Sequence, residues 1–167
     1  MTAKYALQSF FGSNRDELLT HIPHACALGM QVIDVGPCFS ILKMPFRAEL
    51  VGDPVRGVPF GGVITTLLDQ ALGLAVSCSL ERIIAIATLD LRIDYLRAAE
   101  PGRDLVGHAE CYRVTKHVAF ARGTAYDREP SDPFATCVAT FMIGANASFN
   151  PFSTAAGERK TGSTDDQ

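Results

Sequence analysis

The run PFGGVITTLLDQALGLAV, residues 59–76, has the apolar spacing of a helix and carries a single carboxylate, Asp69. At 100° per residue, Asp69 lies opposite the apolar side, among small and hydroxyl-bearing residues: Gly62, Thr65, Thr66, Gly73 and Ser77. Because partial burial can raise the basicity of a carboxylate, Asp69 suits a general base or a nucleophile. The alternative is structural, with Asp69 bonded to Thr65, Thr66 or a loop amide and fixing a dimer contact.

The start of the same helix offers hydrogen-bond donors. Gly61 and Gly62 follow Phe60, and the first N–H groups of a helix have no partner inside it. Without side chains at these positions, a ligand oxygen can approach the donors, and the helix dipole favours negative charge there. This is the requirement of an oxyanion hole for acyl transfer. A tight loop entry into the helix explains the two glycines equally well.

Geometry separates the carboxylate from the donors. Gly61 and Asp69 are eight residues apart. That spacing corresponds to about 12 Å along a helix, so one helix cannot bring both to the same carbonyl group. Two antiparallel copies can, and the sequence therefore predicts a homodimer in which Gly61 of one subunit meets Asp69 of the other.

Several elements are predicted to position these residues. The long helix covers residues 61–80, and a set of apolar residues should face a sheet: Ile64, Leu67, Leu68, Ala71, Leu74, Ala75 and Cys78. A short helix is predicted near 14–21 and a loop over 48–60. Extended runs are predicted at 28–36, 38–47, 83–96, 104–115, 117–127 and 134–144.

The alternation within 83–96 predicts a half-buried strand. One face carries Leu89, Leu91, Ile93 and Tyr95, and the opposite face carries Thr88, Asp90, Arg92 and Asp94. The outward charged row either pairs with an identical strand across a two-fold axis or faces water.

The order of elements predicts the fold class. Strands that follow one another without helices between them pair antiparallel, which gives an α+β domain. One long helix wrapped by a curved antiparallel sheet of about six strands is the hot-dog fold. We predict a single hot-dog domain over residues 1–145 and a disordered tail over 146–167, where hydrophobic periodicity is lost.

Composition excludes several classes of protein. The net charge of -3, without any Lys/Arg run, gives no reason to expect nucleic acid as a partner. Five widely spaced cysteines, with no C-x-x-C pair, argue against a disulfide framework or a zinc site and favour a reducing cytoplasm. We expect no signal peptide at the start, and no membrane span, because Asp69 and Gln70 interrupt the longest apolar run.

The segments GDPVRGVPFGGVITTLLDQALGLAV and ATLDLRIDYLRAAEPG resemble the hot-dog acyl-CoA thioesterases, specifically the phenylacetic-acid-degradation thioesterase-like subgroup. The resemblance covers about residues 22–144. It implies that the Gly61 N–H polarises a thioester carbonyl and that Asp69 activates water or attacks directly. Thr88 matches a position that helps to place the water or nucleophile, although an inconsequential sheet hydroxyl explains it nearly as well. No metal or cofactor is expected, since coenzyme A is part of the substrate.

The resemblance also implies a substrate-binding surface between subunits of a homodimer, which could pair further into a tetramer. We predict that Phe60, Gly62 and the neutral helix residues Thr65, Thr66 and Gly73 contact the substrate. Basic residues would hold the coenzyme A phosphates, and the candidates are Arg97, Arg113 and Lys116. Solvated surface charge explains each of these three equally well.

One position departs from the family pattern. Phe60 stands where the family commonly has histidine, which removes a side chain that orients the carbonyl or water. An acyl-CoA-binding or sensor protein with weak or no catalysis is therefore the alternative function. A hydratase of acyl thioesters would need a histidine beside the carboxylate, and His21, His24, His108 and His117 all lie outside the long helix.

Overall fold

The computed structural model describes residues 4–11 and 15–144 of the chain. Its two α-helices are α1 (Pro23–Ala27) and α2 (Gly61–Ser79). Its strands are β1 (Gln31–Gly36), β2 (Phe39–Met44), β3 (Val51–Asp53), β4 (Val58–Pro59), β5 (Ile86–Tyr95), β6 (Leu105–Val114), β7 (Val118–Tyr126) and β8 (Ala135–Ile143). Three short 3-10 helices span Gln8–Phe10, Arg15–Leu19 and Ala48–Leu50.

Six of the strands form one antiparallel sheet in the order β1-β2-β6-β7-β8-β5, and β3 and β4 form a separate hairpin. α2 packs on one face of the sheet, mainly against β2, β6 and β7. The predicted α+β hot-dog architecture, with one long helix and six main strands, is confirmed. β5 is an edge of the sheet, which leaves one side of this strand without a partner strand among residues 4–11 and 15–144.

The apolar side of α2 is the centre of the core. All seven residues predicted to face the sheet are buried, as are Val63, Leu72 and Val76. By length and composition alone this helix could cross a membrane, but most of it is buried inside the protein, which makes it the core helix of the domain.

Small residues on the inner face of the sheet let α2 approach closely. The buried alanines are Ala109, Ala119, Ala121, Ala125, Ala135 and Ala139. At Gly107 an added Cβ would come within 3.2 Å of the Leu67 side chain. The hydroxyl of Ser40, on β2, is buried and donates to the Ala71 carbonyl at 2.7 Å. These contacts fix the side of α2 that lies opposite Asp69.

The structure of β5 corrects the predicted face assignment of Thr88 and Leu89. The pairing of β5 with β8 shifts between Thr88 and Asp90, so Leu89 is an extra residue in a β-bulge. Thr88 pairs with the buried Phe141 and therefore lies on the helix-facing side, not on the outward side with Asp90. Leu91 and Ile93 keep their predicted inward positions, whereas Leu89 is exposed.

The N-terminal region, which is residues 4–11 and 15–30 before β1, contains more structure than predicted, and so does the loop before α2. Instead of one helix near 14–21, a 3-10 helix over Arg15–Leu19 is followed by α1, which begins at Pro23. Proline disfavours continuation of a preceding helix but is tolerated at a helix start. In the predicted loop over 48–60, β3 and β4 form a hairpin. The Asp53 carboxylate accepts the Val55 and Arg56 N–H groups in its turn.

A single hydrophobic core joins α2, the inner face of the sheet and the N-terminal residues Leu7, Leu18 and Leu19. The domain boundaries of 1–145 remain a prediction. The predicted tail over 146–167 lies outside the described residues.

Candidate active site

Asp69 is half-buried and faces the start of β5. The hydroxyl of Thr88 donates a hydrogen bond to Asp69 Oδ1 at 2.9 Å. Within residues 4–11 and 15–144, Asp69 Oδ2 accepts no hydrogen bond. The bulge at Leu89 is what turns Thr88 toward the helix, so β5 holds one carboxylate oxygen and leaves the other free to accept a proton or to attack.

The structural alternative required Asp69 to bond to Thr65, Thr66 or a loop amide, and the two threonines do not bond to it. Thr65 Oγ1 donates to the Gly61 carbonyl at 3.1 Å, and Thr66 Oγ1 donates to the Gly62 carbonyl at 2.8 Å. Both hydroxyls therefore bond back to the preceding turn of α2. Since no loop amide among the described residues bonds to Asp69 either, the carboxylate is held by Thr88 and is otherwise open.

The start of α2 presents unused backbone donors. In the described part of the chain, the N–H groups of Gly61 and Gly62 donate to no acceptor. The Tyr95 hydroxyl donates to the Gly61 carbonyl at 3.2 Å, which ties the end of β5 to the helix start. The Phe60 ring lies over Gly62, where an added Cβ would come within 2.5 Å of it. Phe60 itself is 60% exposed, so this apolar ring borders the open donors.

A cavity of about 380 Å³ opens beside Asp69 and runs along α2. The helix side of its lining includes Asp69, Gly73, Leu74 and Ser77. Thr88 and Phe141 come from the sheet, and the remaining wall comes from the N-terminal region and the segment before β5, including Leu7, Leu18, His21, Ile22, Leu80, Arg82 and Ile84. The cavity is thus largely apolar, with the Asp69–Thr88 pair as a polar group on its wall.

The three candidate phosphate-binding residues lie at opposite ends of the sheet. Arg113 and Lys116 are exposed at the β6–β7 hairpin, where the His117 carbonyl accepts the Ile143 N–H. Because Ile143 pairs with Ile86, this hairpin lies at the same end of the sheet as Thr88. Arg97 follows the opposite end of β5, near Gly61.

Arg97 is engaged in contacts within the chain. Its guanidinium bonds to the buried Asp127 at 2.7 Å and to Asp132 at 3.2 Å, and it lies over the Phe134 ring. The hydrogen bond that Arg97 donates to Asp127 is the largest of the contacts that raise the pKa of Arg97 above its ordinary value. A guanidinium held in this way has few donors left for a phosphate, whereas Arg113 and Lys116 have no recorded ion pair among the described residues.

Two contributors to the site were not identified from the sequence. The N-terminal region supplies a wall of the cavity, and His21 lines that cavity together with Asp69. The apolar residues of this region, Leu7, Leu18 and Ile22, were the available signal, because their side chains must be covered by something. The contact of Tyr95 with Gly61 was also missed, since the alternation only placed Tyr95 on the inward face.

The arrangement combines a free carboxylate oxygen, a hydroxyl that orients the carboxylate, open helix-start amides and an apolar cavity. Acyl transfer needs a base or nucleophile, donors for an oxyanion and room for an acyl group. Fold and site together define a hot-dog protein of the acyl-transfer type. Among the described residues, no three His, Cys, Asp or Glu side chains come together as ligands for a metal ion.

Comparison with known proteins agrees with this class. The model of the thioesterase superfamily matches residues 56–133. The medium/long-chain acyl-CoA thioesterase YigI of Escherichia coli is 31% identical over 137 residues, covering 74% of this chain and 87% of YigI. A putative esterase of Halobacterium salinarum is 37% identical over 97 residues, and the match spans 56% of this chain but 63% of that protein.

Solved structures share the fold. A Pseudomonas aeruginosa protein with 42% identity has a TM-score of 0.69, covering 76% of this chain and 94% of that one. The Escherichia coli PaaI protein from the phenylacetic acid degradation operon has a TM-score of 0.70 at 19% identity, covering 83% and 96%. The chain belongs to the thioesterase superfamily and is a thioester hydrolase. The family resemblance predicted from the sequence is confirmed.

Proposed function

We propose that the protein hydrolyses acyl-CoA thioesters to the free acid and coenzyme A in a homodimer, with Asp69 as base or nucleophile. The observation that carries this proposal is the Thr88–Asp69 hydrogen bond of 2.9 Å beside an apolar cavity, with Asp69 Oδ2 unengaged among the described residues. The reaction needs no metal and no cofactor beyond the coenzyme A that belongs to the substrate.

The chemistry follows from these groups. The thioester carbonyl oxygen accepts the Gly61 N–H of the partner subunit, which stabilises the negative charge that develops on it. Asp69 Oδ2 takes a proton from water as the water oxygen attacks the carbonyl carbon. The tetrahedral intermediate collapses with cleavage of the C–S bond, and the coenzyme A thiolate leaves and takes up the proton held by Asp69, which restores the carboxylate. Direct attack by Asp69 would instead form a mixed anhydride, which water then hydrolyses.

The edge position of β5 supports a shared site. Thr88 touches Asp69 near one end of this strand, and Tyr95 touches Gly61 at the other. Two copies of β5 paired antiparallel about a two-fold axis near Arg92 would bring Thr88 of one subunit close to Tyr95 of the partner subunit. The same pairing carries the open amides of one helix toward the carboxylate of the other.

The substrate class that we propose rests on the similarity to YigI and on the cavity beside Asp69. YigI is a medium/long-chain acyl-CoA thioesterase by name, and the cavity beside Asp69 is apolar. Arg113 and Lys116, at the Thr88 end of the sheet, are the basic residues we assign to the coenzyme A phosphates. A reducing cytoplasm suits the five cysteines, which are all free thiols.

The test is the release of free thiol from acyl-CoA by the wild type and by Asp69→Asn. Loss of a general base lowers turnover by about 10²–10⁴-fold, and the isosteric amide keeps the hydrogen bond to Thr88. Glu129→Gln, an exposed acid-to-amide change in the β7–β8 loop, is the matched control and retains turnover. Hydrolysis by Asp69→Asn at the wild-type rate would remove Asp69 from the mechanism.

A second candidate, a binder or sensor of acyl-CoA, is favoured by Phe60, because this exposed ring stands at the helix start where the family commonly has histidine. The same experiment separates the two functions. An acyl-CoA that binds to the wild type without release of thiol would support the binder and contradict hydrolysis.

A further inference from the structure

We infer that the N-terminal region, through Leu7, Leu18 and Ile22, closes the acyl cavity and limits the acyl group to a medium length. This inference rests on the proposed function and adds the part of the chain that sets its specificity. The N-terminal region precedes residue 56, where the match to the thioesterase superfamily begins, so this wall of the cavity belongs to a part of the chain outside the matched family region.

The cavity is built from three sides. α2 contributes the face with Asp69, Gly73 and Ser77, and the segment before β5 contributes Leu80 and Ile84. The third side is the N-terminal region, whose Ala6 N–H donates to the Leu80 carbonyl at 2.9 Å. Since this bond ties the N-terminal region to the segment before β5, the cavity has a fixed far wall.

The far wall is packed. Leu7 and Leu18 are each only 1% exposed, so they belong to the core as well as to the lining. An acyl chain whose carbonyl lies at Asp69 would extend along α2 past Gly73 and end against these leucines. A wall of this kind limits how many carbons fit, because a longer chain could enter only by displacing core side chains.

The volume of the cavity indicates the length of the acyl chain that it can hold. Ligand pockets in proteins range over about 300–1,000 Å³, so 380 Å³ lies near the small end. A cavity near the small end of this range accommodates a medium-length acyl group more readily than the longest chains.

Gly73 gives an independent sign that the space is used. Glycine inside a helix is destabilising relative to alanine, so its presence needs a reason. An added Cβ at Gly73 would lie 3.7 Å from Phe141 and 3.8 Å from Ile86, which are ordinary contacts. The packing of the fold therefore does not require glycine here, and the missing side chain instead leaves room in the cavity one helical turn beyond Asp69.

The experiment measures acyl-CoA binding by calorimetry in the Asp69→Asn background, and kcat/KM with Asp69 intact, for saturated chains of four to eighteen carbons. Gly73→Val narrows the cavity and is expected to weaken decanoyl-CoA binding by about tenfold or more. Butanoyl-CoA, which does not reach the valine, should change by less than about threefold. Leu18→Ala is expected to move the preference to longer chains, and Val55→Ala, at an exposed turn, serves as the control.

The outcomes separate the two claims. Hydrolysis with the same chain-length profile in the wild type, Gly73→Val and Leu18→Ala would overturn the cavity wall but leave the proposed function in place. Length-dependent binding without hydrolysis would support the cavity wall and contradict the proposed function. If Leu18→Ala fails to fold, Gly73→Ala replaces it, because alanine stabilises the helix and must still lower the preferred chain length.

Discussion

The Asp69 carboxylate has two oxygens in different situations. Oδ1 accepts the Thr88 hydroxyl, and Oδ2 has no donor among the described residues. A hydrogen bond from a neutral hydroxyl fixes the carboxylate plane without neutralising its charge, unlike an ion pair with Arg or Lys. In the proposed mechanism, Thr88 is therefore a positioning residue for Asp69, and it needs no contact with the substrate to affect the rate.

Replacement of Thr88 by valine removes the hydroxyl and keeps the shape of the side chain. A hydrogen bond to a charged group contributes about 1.5–3 kcal/mol, so kcat should fall by about 10–100-fold. KM should stay close to the wild-type value, because substrate contacts are unchanged. Thr88→Ser retains the donor and should restore most of kcat in the same steady-state assay. Equal kcat for the valine and serine variants would show that the hydroxyl has no such role.

Buried thiols couple stability to alkaline pH. Burial raises the pKa of Cys78 and that of Cys137 from their ordinary value to about 12, and it also raises the pKa of Cys111. Above pH 9 the unfolded chain loses these protons while the native state keeps them. The native state then binds more protons than the unfolded state, and the free energy of unfolding falls as pH rises toward the folded pKa.

We predict that the free energy of unfolding, measured by urea denaturation, declines as pH rises above 9, by at most about 1.4 kcal/mol per pH unit for each of these thiols. Cys78→Ala removes one of these thiols, so its decline should be shallower, even though its stability at pH 7 is lower. Cys26→Ala changes an exposed cysteine and should keep the wild-type slope. A Cys78→Ala slope as steep as that of the wild type would contradict this coupling.

At the scale of elements, hydrophobic periodicity predicted most of the fold. The predicted helix over 61–80 became α2 (Gly61–Ser79), and each of the six predicted strands is present with ends shifted by a few residues. These segments are long and alternate or repeat regularly, so burial of one face determines both their type and their orientation. The position of Asp69 opposite the core followed from the same argument.

The bulge in β5 was beyond the sequence pattern. Strict alternation placed Thr88 beside Asp90, and only the pairing with β8 shows that Leu89 is an extra residue. Whether a strand accommodates a bulge depends on its register with a neighbour, which is a long-range property. The consequence is functional, because without the bulge the Thr88 hydroxyl would point away from Asp69. The role expected from the family resemblance thus needed a feature that alternation alone excludes.

The N-terminal region was the least predictable element for a related reason. Its 3-10 turns and α1 are short, so local propensity carries little information about them. What fixes them is contact with the segment before β5 and with α2, through Leu7, Leu18 and the Ala6–Leu80 bond. The cavity wall could therefore not be seen until the distant parts of the chain were brought together.

At the scale of the whole molecule, the long edge strand β5 has backbone hydrogen-bonding groups on one side that no neighbouring strand among the described residues satisfies. β5 has ten residues and, in the part of the chain that the structure describes, pairs only with β8. Leu89 and Tyr95 are both more than half exposed along it. An open edge of this length is a template for pairing with another strand. In the proposed homodimer, a second copy of the chain would pair with this edge and, by the same symmetry, complete two sites, each with groups from both subunits. The proposed catalysis would then require the dimer.

The shared site predicts that two inactive variants restore activity to each other. Gly61→Pro removes the proposed oxyanion N–H; proline is tolerated at the first position of a helix, and Phe60 before it is already extended. Asp69→Asn removes the base. If the dimer has two-fold symmetry and subunits mix at random, half of the dimers carry one intact site, so an equimolar mixture refolded together should recover about a quarter of the wild-type activity. A mixture that stays as inactive as its components, although an affinity tag on one variant co-purifies the other as a mixed dimer, would place both groups within one subunit and contradict the shared site.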